Sequence, residues 1–277
     1  MAELVGHISQ LFRYPVKSML GEEPSTLHLG ELGVTGDRSF ALWDKATERV
    51  ASAKNPRRWK SLLAFRAEYV QEPSEGAPLP DLKISSPLLS DAEALFGSDE
   101  SLDRRLSEVL GREVALIDSS PEDARLDQYW PEVKERDFHN HEVIDMPILK
   151  GTFFDATPVH VMTTSTLDEL QHRVPESNFS VERFRPNFLI ATEPGITGFV
   201  EDDWTGGILR IGDTAQLRID APCPRCVVTT LAQGDLDDDL EVLRATVQHN
   251  KVNAGLRTSV LMTGEARVGE PVYLVRP

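Results

Sequence analysis

The segment ILRIGDTAQLRID (208–220) contains two runs of alternating apolar and polar residues on either side of Gly212-Asp213. Such alternation is typical of a strand with one buried face, and a Gly-Asp pair between two such runs predicts a hairpin turn. Short strand-like runs bounded by turn residues recur elsewhere: SFALW (39–43), PVHVM (158–162), FLIAT (188–192) and ARVGEPVYLV (266–275). This dominance of short strands predicts a mainly β (α+β) fold with β-barrel-like domains, rather than a doubly wound α/β sheet.

Three segments carry helix signals. The first has Ser98 as its predicted N-cap and ends at Gly111, with an apolar stripe between them. The second opens on a capping-box pattern formed by Ser165 and Asp168. The third has apolar residues at helical spacing, Leu236, Leu240, Leu243 and Val247, and the aspartates within 235–239 suit its N-terminus.

The segment from Ser119 to Pro147 is polar and is predicted to be loop-like, which places a boundary between about 115 and 150. A chain of 277 residues is long enough for one large domain or two smaller ones.

The net charge of the chain restricts the classes of ligand that it is expected to bind. The chain has 29 basic and 45 acidic residues, a formal net charge of −16. This charge repels nucleic acid and anionic membrane surfaces, so neither is expected as a partner. The first residues, MAELVGHISQ, have neither the basic nor the apolar region of a signal peptide. Two cysteines in such a chain suit a reducing compartment, and we expect a cytoplasmic protein.

Both cysteines, Cys223 and Cys226, lie in APCPRCVVTT (221–230). A structural zinc site needs four ligands, and no second cysteine pair is present. A thioredoxin-like redox couple belongs to a βαβ context that this sequence lacks. The residues alone favour two buried thiols. They leave open that one thiolate binds a soft metal while Pro222 and Pro224 stiffen the loop.

Other motifs that could indicate a metal or nucleotide site are weaker evidence. The HNHE segment suggests a zinc or nuclease site, but its histidines, His139 and His141, have no third ligand at suitable spacing, and a solvated loop is favoured. His160 in PVHVM is interpreted as a core histidine. The sequence has no G-x-G-x-x-G motif and no P-loop, so nicotinamide, flavin and nucleotide binding have no support from these motifs.

Basic residues are informative because the chain is so acidic. Lys17 and Ser18 follow a proline in YPVKS, Arg38 lies in GDRSF, and Arg185 and Asn187 lie in RFRPNFLI. Each is interpreted as lying next to a strand, which is a rigid support for a cation or an amide. Together they predict a pocket for a small phosphorylated ligand, in which arginine binds phosphate oxygens in a bidentate manner and lysine acts as a point charge.

Five stretches in this order resemble the MOSC superfamily: LFRYPVKSMLG, GVTGDRSFAL, ERFRPNFLI, PCPRCVVTT and VGEPVYL. They are most similar to MOSC proteins with an N-terminal β-barrel extension, such as the amidoxime-reducing proteins of mitochondria. The resemblance extends over nearly the whole chain. It implies an N-terminal β-barrel-like domain, residues 1–115, followed by a β-barrel MOSC domain with a few helices, residues 116–277. It also implies a bound molybdenum cofactor, a pterin dithiolene that carries molybdenum and a phosphate.

The resemblance also implies roles for individual residues. Cys226 matches the molybdenum ligand and the catalytic position, which makes Cys223 a bystander. The positions matched to cofactor binding are Lys17, Ser18, Arg38, Asp155, Thr157, Arg185, Asn187 and Arg225. Two departures are visible. Lys54 stands where the reductases of the family usually have arginine, and Ala156 replaces a hydroxyl residue.

The implied activity is the reduction of N-hydroxylated compounds, small molecules such as amidoximes and hydroxylamines. The chain has no ferredoxin-like cysteine cluster, so electrons are expected from a separate donor protein, of ferredoxin or cytochrome type with its reductase. An alternative role is that of a carrier, which holds the cofactor, or sulfur on Cys226, for delivery to other enzymes.

Overall fold

A computed structural model of the chain describes residues 2–89, 94–129, 143–148 and 152–277. Short strands outnumber helices within these ranges. The strands are β1 (Ala2–Leu11), β2 (Thr26–Gly30), β3 (Gly33–Val34), β4 (Ala41–Asp44), β5 (Arg49–Val50), β6 (Arg66–Tyr69), β7 (Leu82–Ser85), β8 (Leu95–Phe96), β9 (Val114–Ile117), β10 (Arg125–Tyr129), β11 (Val143–Pro147), β12 (Val159–Thr163), β13 (Phe188–Thr192), β14 (Ile208–Ile211), β15 (Ala215–Pro224), β16 (Asn253–Met262), β17 (Gly264–Arg267) and β18 (Pro271–Val275).

The described helices are few and short. The α-helices are α1 (Pro56–Trp59), α2 (Leu102–Leu110), α3 (Thr164–Arg173) and α4 (Glu241–Asn250). Four 3₁₀ segments cover Lys60–Ala64, Val181–Arg183, Val200–Trp204 and Val227–Thr230. None of the helices in the described ranges combines the length and apolar character needed to cross a membrane.

Seven strands close into a barrel in the order β1-β13-β12-β16-β15-β14-β18, and β18 pairs back with β1. Neighbouring strands are antiparallel except β12 and β13, which run parallel. Alternate residues point inward, and Ile8, Val161, Phe188, Leu217 and Leu274 form part of a core that is almost fully buried. The predicted mainly β fold is confirmed.

In the described ranges four small sheets lie outside the barrel: β17-β2-β3, β5-β4-β9, β6-β7-β8 and the two-stranded β10-β11. A second apolar cluster, which includes Met19, Leu42, Phe65 and Ile84, packs between elements of the first half of the chain. This cluster gives the N-terminal β-rich region a core of its own. However, β1 belongs to the barrel and β17 pairs with β2. The two regions therefore share sheets, and a division at residues 115 and 116 stays a prediction.

The sequence predicts most of these elements at the right place. The hairpin at Gly212-Asp213 is confirmed, with Ile211 paired with Ala215. Its second strand, β15, continues to Pro224 and so leads directly into the cysteine motif. Helix α2 ends as predicted at Gly111, whose φ of 64° is the left-handed conformation that glycine favours.

Two predicted helix caps are wrong by a few residues. Helix α2 has Ser101 as its N-cap, because the Ser98 hydroxyl donates instead to Asp81, at 2.6 Å. Helix α3 begins after Thr163, whose hydroxyl accepts from the backbone of Thr166. The hydroxyl of Ser165 donates elsewhere, to the carbonyl of Gly198.

Two other predictions need correction. The segment from Ser119 to Pro147 is not wholly loop-like, because β10 and β11 pair along five residues each. The polar composition of β10 conceals its alternation, in which Leu126 and Gln128 are buried. Helix α4 begins at Glu241, so Leu236 lies outside it.

Candidate functional site

One cavity of about 260 Å³ is lined by all nine of the residues that the resemblance selected. They are Lys17, Ser18, Arg38, Asp155, Thr157, Arg185, Asn187, Arg225 and Cys226. The first three come from the N-terminal segment, and the others come from the segments around β12, β13 and β15. The cavity therefore lies where the two halves of the chain meet. Their assignment to a cofactor remains a prediction.

Three of the cavity residues have an unusual backbone conformation. Ser18, Arg38 and Arg185 have φ values of 65°, 48° and 53°, in the left-handed region that residues other than glycine seldom adopt. The local fold enforces these conformations: the amide of Arg38 donates to the carbonyl of Tyr14 at 2.7 Å. Such strain is concentrated at functional sites, where the surrounding structure holds it in place.

Arg38 and Arg185 form one end of the cavity. Their guanidinium carbons lie 4.6 and 4.3 Å from the centre of the Tyr14 ring. The Nη2 of Arg185 donates to the carbonyl of Met19 at 2.7 Å, and the Nη2 of Arg38 donates to the carbonyl of Arg185. Burial and the neighbouring charge of Arg38 lower the pKa of Arg185 to about 10. Arg185 therefore stays charged at neutral pH.

A carboxylate between two lysines forms one wall. Lys17 donates to Asp155 and, at 2.8 Å, to the carbonyl of Phe153, and Lys54 Nζ lies 3.4 Å from the other Asp155 oxygen. Burial opposes ionisation of Asp155, but Lys17 and Lys54 outweigh it, so the pKa of Asp155 falls below its usual value. Asp155 is thus a fixed anion that accepts hydrogen bonds.

The two cysteines also line the cavity and differ in exposure. Cys223 is buried and Cys226 is partly exposed. Arg225 lies between them in sequence, and its Nη1 donates to the Cys223 sulfur at 3.1 Å. Its Nη2 donates to the carbonyl of Phe184, and its backbone N–H donates to Val252. These contacts fix the loop that carries Cys226.

Cys223 is more than a distant bystander in this geometry. Burial raises the pKa of its thiol, but His160 and Arg225 outweigh burial, and the pKa falls to about 5. Since Arg225 Nη1 also lies 3.3 Å from His160 Nε2, the three side chains form one cluster in the cavity wall.

Two of the predicted residues, Asn187 and Thr157, hold backbone segments of the cavity wall together. The amide of Asn187 connects two segments, since its Oδ1 accepts from the backbone of His160 and its Nδ2 donates to the carbonyl of Phe12. The hydroxyl of Thr157 donates to the carbonyl of Thr258 at 2.8 Å, on β16. Both residues tie the cavity wall to barrel strands.

Sequence reasoning gave no site role to two charged or titratable residues that line the cavity, His160 and Arg257. Lys54, the departure from the arginine of the family, lines it as well. His160 is buried as expected of a core histidine, but its ring faces the cavity. His160 and Arg257 are partners across β12 and β16, although 97 positions separate them in sequence. No local sequence signal reveals such a pairing, because register is set by long-range strand contacts.

Within the described ranges, no three histidine, cysteine or carboxylate side chains are arranged to hold a metal ion by themselves. The candidate histidines His139 and His141 lie outside the described residues.

Gly255 on β16 leaves room for His160. A Cβ at this position would lie 2.4 Å from His160 Nε2 and 2.6 Å from the carbonyl oxygen of Val161, and the φ of Gly255 is +84°. We therefore expect Gly255→Ala to lower the free energy of unfolding by about 2–4 kcal/mol, measured by urea denaturation.

Gly269 is the matched control for Gly255. It has a similar φ of +90°, but a Cβ there would meet no atom within 4 Å. Gly269→Ala should therefore show the backbone strain alone, about 1 kcal/mol. Equal losses in the two variants would mean that the contact with His160 is unimportant.

Comparison with known proteins gives two matches to family models. The model described as the MOSC domain matches residues 149–273, and the MOSC N-terminal beta barrel domain matches residues 5–80. Mitochondrial amidoxime-reducing component 1 of Danio rerio is 26% identical over 290 residues, which cover 98% of this chain and 85% of that protein. Mitochondrial amidoxime reducing component 2 of Bos taurus is 27% identical, with coverages of 97% and 83%. The crystal structure of the YUAD protein from Bacillus subtilis aligns over 99% of this chain and 98% of its own, with 10% identity and a TM-score of 0.45.

Proposed function

Because the chain belongs to the MOSC domain family and carries the MOSC N-terminal beta barrel domain, we propose that its cavity holds a molybdenum cofactor and that the protein reduces N-hydroxylated compounds. The observation that carries this proposal is the gathering of all nine motif residues around one cavity. The amidoxime-reducing names of its relatives support the reaction class.

The charges of the cavity fit an anionic cofactor. Among the described residues that line it, six are basic and Asp155 alone is acidic, although the whole chain carries a net charge of −16. Arg185 Nη1 and Arg225 Nε are among the buried guanidinium nitrogens that have no acceptor among the described residues. Buried donors of this kind are costly unless a partner is present. A phosphate and a pterin would supply oxygen and nitrogen acceptors for both.

The two thiols also fit a molybdenum cofactor. Cys226 keeps part of its surface in the cavity, whereas the buried Cys223 already accepts from Arg225. A partly exposed thiolate on a fixed loop suits a soft metal that also has sulfur ligands. We therefore assign the metal to Cys226 and a supporting role to Cys223.

The chemistry divides between the cofactor and the chain. When bound, the cofactor supplies a metal centre that passes two electrons to the N–O group. In the overall reaction R–NH–OH takes up two electrons and two protons and gives R–NH₂ and water. Arg38 and Arg185 would hold the phosphate. Asp155, fixed as a carboxylate by its lysines, would accept hydrogen bonds from N–H groups of the ligand. The chain has two cysteines in all, too few for a four-cysteine iron–sulfur cluster, so a separate protein would deliver the electrons.

The proposal is tested on protein made in a host that synthesises the cofactor. We expect about one molybdenum per chain by elemental analysis, since one thiolate ligand serves one metal. We also expect turnover of benzamidoxime or a hydroxylamine with an artificial reductant under anaerobic conditions.

Three outcomes are distinguishable. Molybdenum with turnover supports the reductase. Molybdenum without turnover of either substrate supports the carrier role instead. If both molybdenum and the fluorescence of the oxidised pterin are missing, the cofactor assignment is wrong.

A further inference from the structure

Arg257 is a cavity residue to which the family motifs give no role. It lies on β16, where it is the register partner of His160 on β12 and of Ala221 on β15. Register partners on adjacent strands place their side chains on the same face of a sheet. Arg257 and His160 both line the cavity. The Nε of Arg257 is buried and has no acceptor among the described residues.

Arg257 lies beside the first of the two thiols. Its register partner on β15, Ala221, is two residues before Cys223. Burial raises the pKa of Cys223, but His160, Arg225 and Arg257 outweigh burial. Arg38 and Arg185, in contrast, lie over the Tyr14 ring. Cys223 shares its loop with the proposed metal ligand, Cys226, to which a substrate must bring its N–O bond.

The other charged groups near the thiols are held by more contacts. Arg225 Nη1 donates to the Cys223 sulfur and Arg225 Nη2 to the carbonyl of Phe184, which leaves only its Nε without an acceptor among the described residues. Lys54 faces Asp155, which is the one carboxylate among the described cavity residues and which also binds Lys17. Arg257 thus adds positive charge and an unpaired N–H at the place of reaction.

We propose that Arg257 binds an anionic group of the substrate, so that the preferred substrates are N-hydroxylated compounds with a carboxylate close to the N–OH group. This inference rests on the proposed function. A guanidinium binds a carboxylate through paired charge-assisted hydrogen bonds. A neutral substrate leaves the buried N–H unpaired, and sites built to pair a polar group discriminate strongly against substrates that lack it.

The test compares two substrates of similar size on the cofactor-loaded protein, N-hydroxyglycine and N-ethylhydroxylamine. N-hydroxyglycine takes up two electrons and two protons to give glycine and water. We expect its kcat/KM to exceed that of N-ethylhydroxylamine at least about tenfold, the effect of a single charge-assisted hydrogen bond. In Arg257→Gln this preference should fall about tenfold through a higher KM for N-hydroxyglycine. Arg257→Lys should restore part of it.

Arg210→Gln is the matched control, because Arg210 is an exposed arginine of β14 that lies 5.0 Å above the Tyr273 ring and does not line the cavity. It should leave the preference unchanged. Three results would overturn the inference: a wild-type preference for the neutral substrate, equal losses for both substrates in Arg257→Gln, or loss of molybdenum from that variant, which would make Arg257 a cofactor ligand.

A second measurement separates this inference from the proposed function. Glycolate carries a carboxylate but no N–O bond, and its binding to the loaded protein is measurable by calorimetry without turnover. If neither hydroxylamine is reduced, the proposed reaction fails. Glycolate binding that weakens about tenfold in Arg257→Gln would then still support the anion site, and binding unchanged by the substitution would refute it.

Discussion

Cys226→Ser should lower bound molybdenum and turnover at least about a hundredfold, because it replaces the proposed metal ligand itself. A thiol gives up its proton near neutral pH and then offers a soft, polarisable donor. A serine hydroxyl does neither. The measurement is molybdenum per chain together with the initial rate, for variants purified alongside the wild-type protein.

Cys223→Ser is the matched control in the same loop. The Cys223 sulfur accepts a hydrogen bond from Arg225 Nη1, and a serine oxygen can accept the same bond. This variant should therefore retain most of the molybdenum and most of the activity. If the two substitutions cause equal losses, the pair acts as a redox couple and the distinction between ligand and supporting residue is wrong.

Arg185→Ala should weaken retention of the cofactor by about ten- to a hundredfold. A charge-assisted hydrogen bond in a partly desolvated site contributes about 1.5–3 kcal/mol, and about 1.4 kcal/mol corresponds to a factor of ten. Arg185 meets both conditions, since its Nη1 is buried without an acceptor and its pKa of about 10 keeps it charged at pH 7. Pterin retained after gel filtration measures the effect.

Two further variants separate the loss of the Arg185 charge from backbone strain and from the loss of any surface arginine. Arg185→Asn removes the charge but suits the positive φ of this position, so the same loss of pterin there would exclude backbone strain as the cause. Arg57→Ala removes an exposed arginine that lies over the Tyr129 ring and does not line the cavity. It should change retention little. Loss of cofactor from Arg57→Ala but not from Arg185→Ala would show that the phosphate site is misplaced.

The sequence was most informative where local signals determine structure. The hairpin at Gly212-Asp213 and the end of α2 at Gly111 depend on turn and cap residues within a few positions, and both were predicted. The caps at Ser98 and Ser165 were predicted wrongly because each hydroxyl bonds to a distant partner, Asp81 or Gly198. Local propensity contains no information about such partners.

Local signals and long-range contacts also differ in what they reveal about the candidate site. The nine motif residues could be collected through the family resemblance, and all of them line one cavity. The positions of His160 and Arg257 in the cavity could not be predicted, because they depend on the pairing of β12 with β16. Nor could the sequence show that Cys223 contacts Arg225, since that contact depends on how the loop after β15 is folded against Val252.

The position of β1 in the barrel has a consequence for biosynthesis. This first strand pairs on one side with β13 and on the other with β18, so Ala2 has Val275 as its partner. At about 5–20 residues per second, the ribosome completes β18 roughly 15–50 seconds after β1. During that interval β1 has no barrel partner on the β18 side, and a nascent chain needs protection of that exposed edge. Lys17 and Cys226 likewise meet only late in synthesis. The residues proposed to hold the cofactor are therefore brought together only after most of the chain has been made.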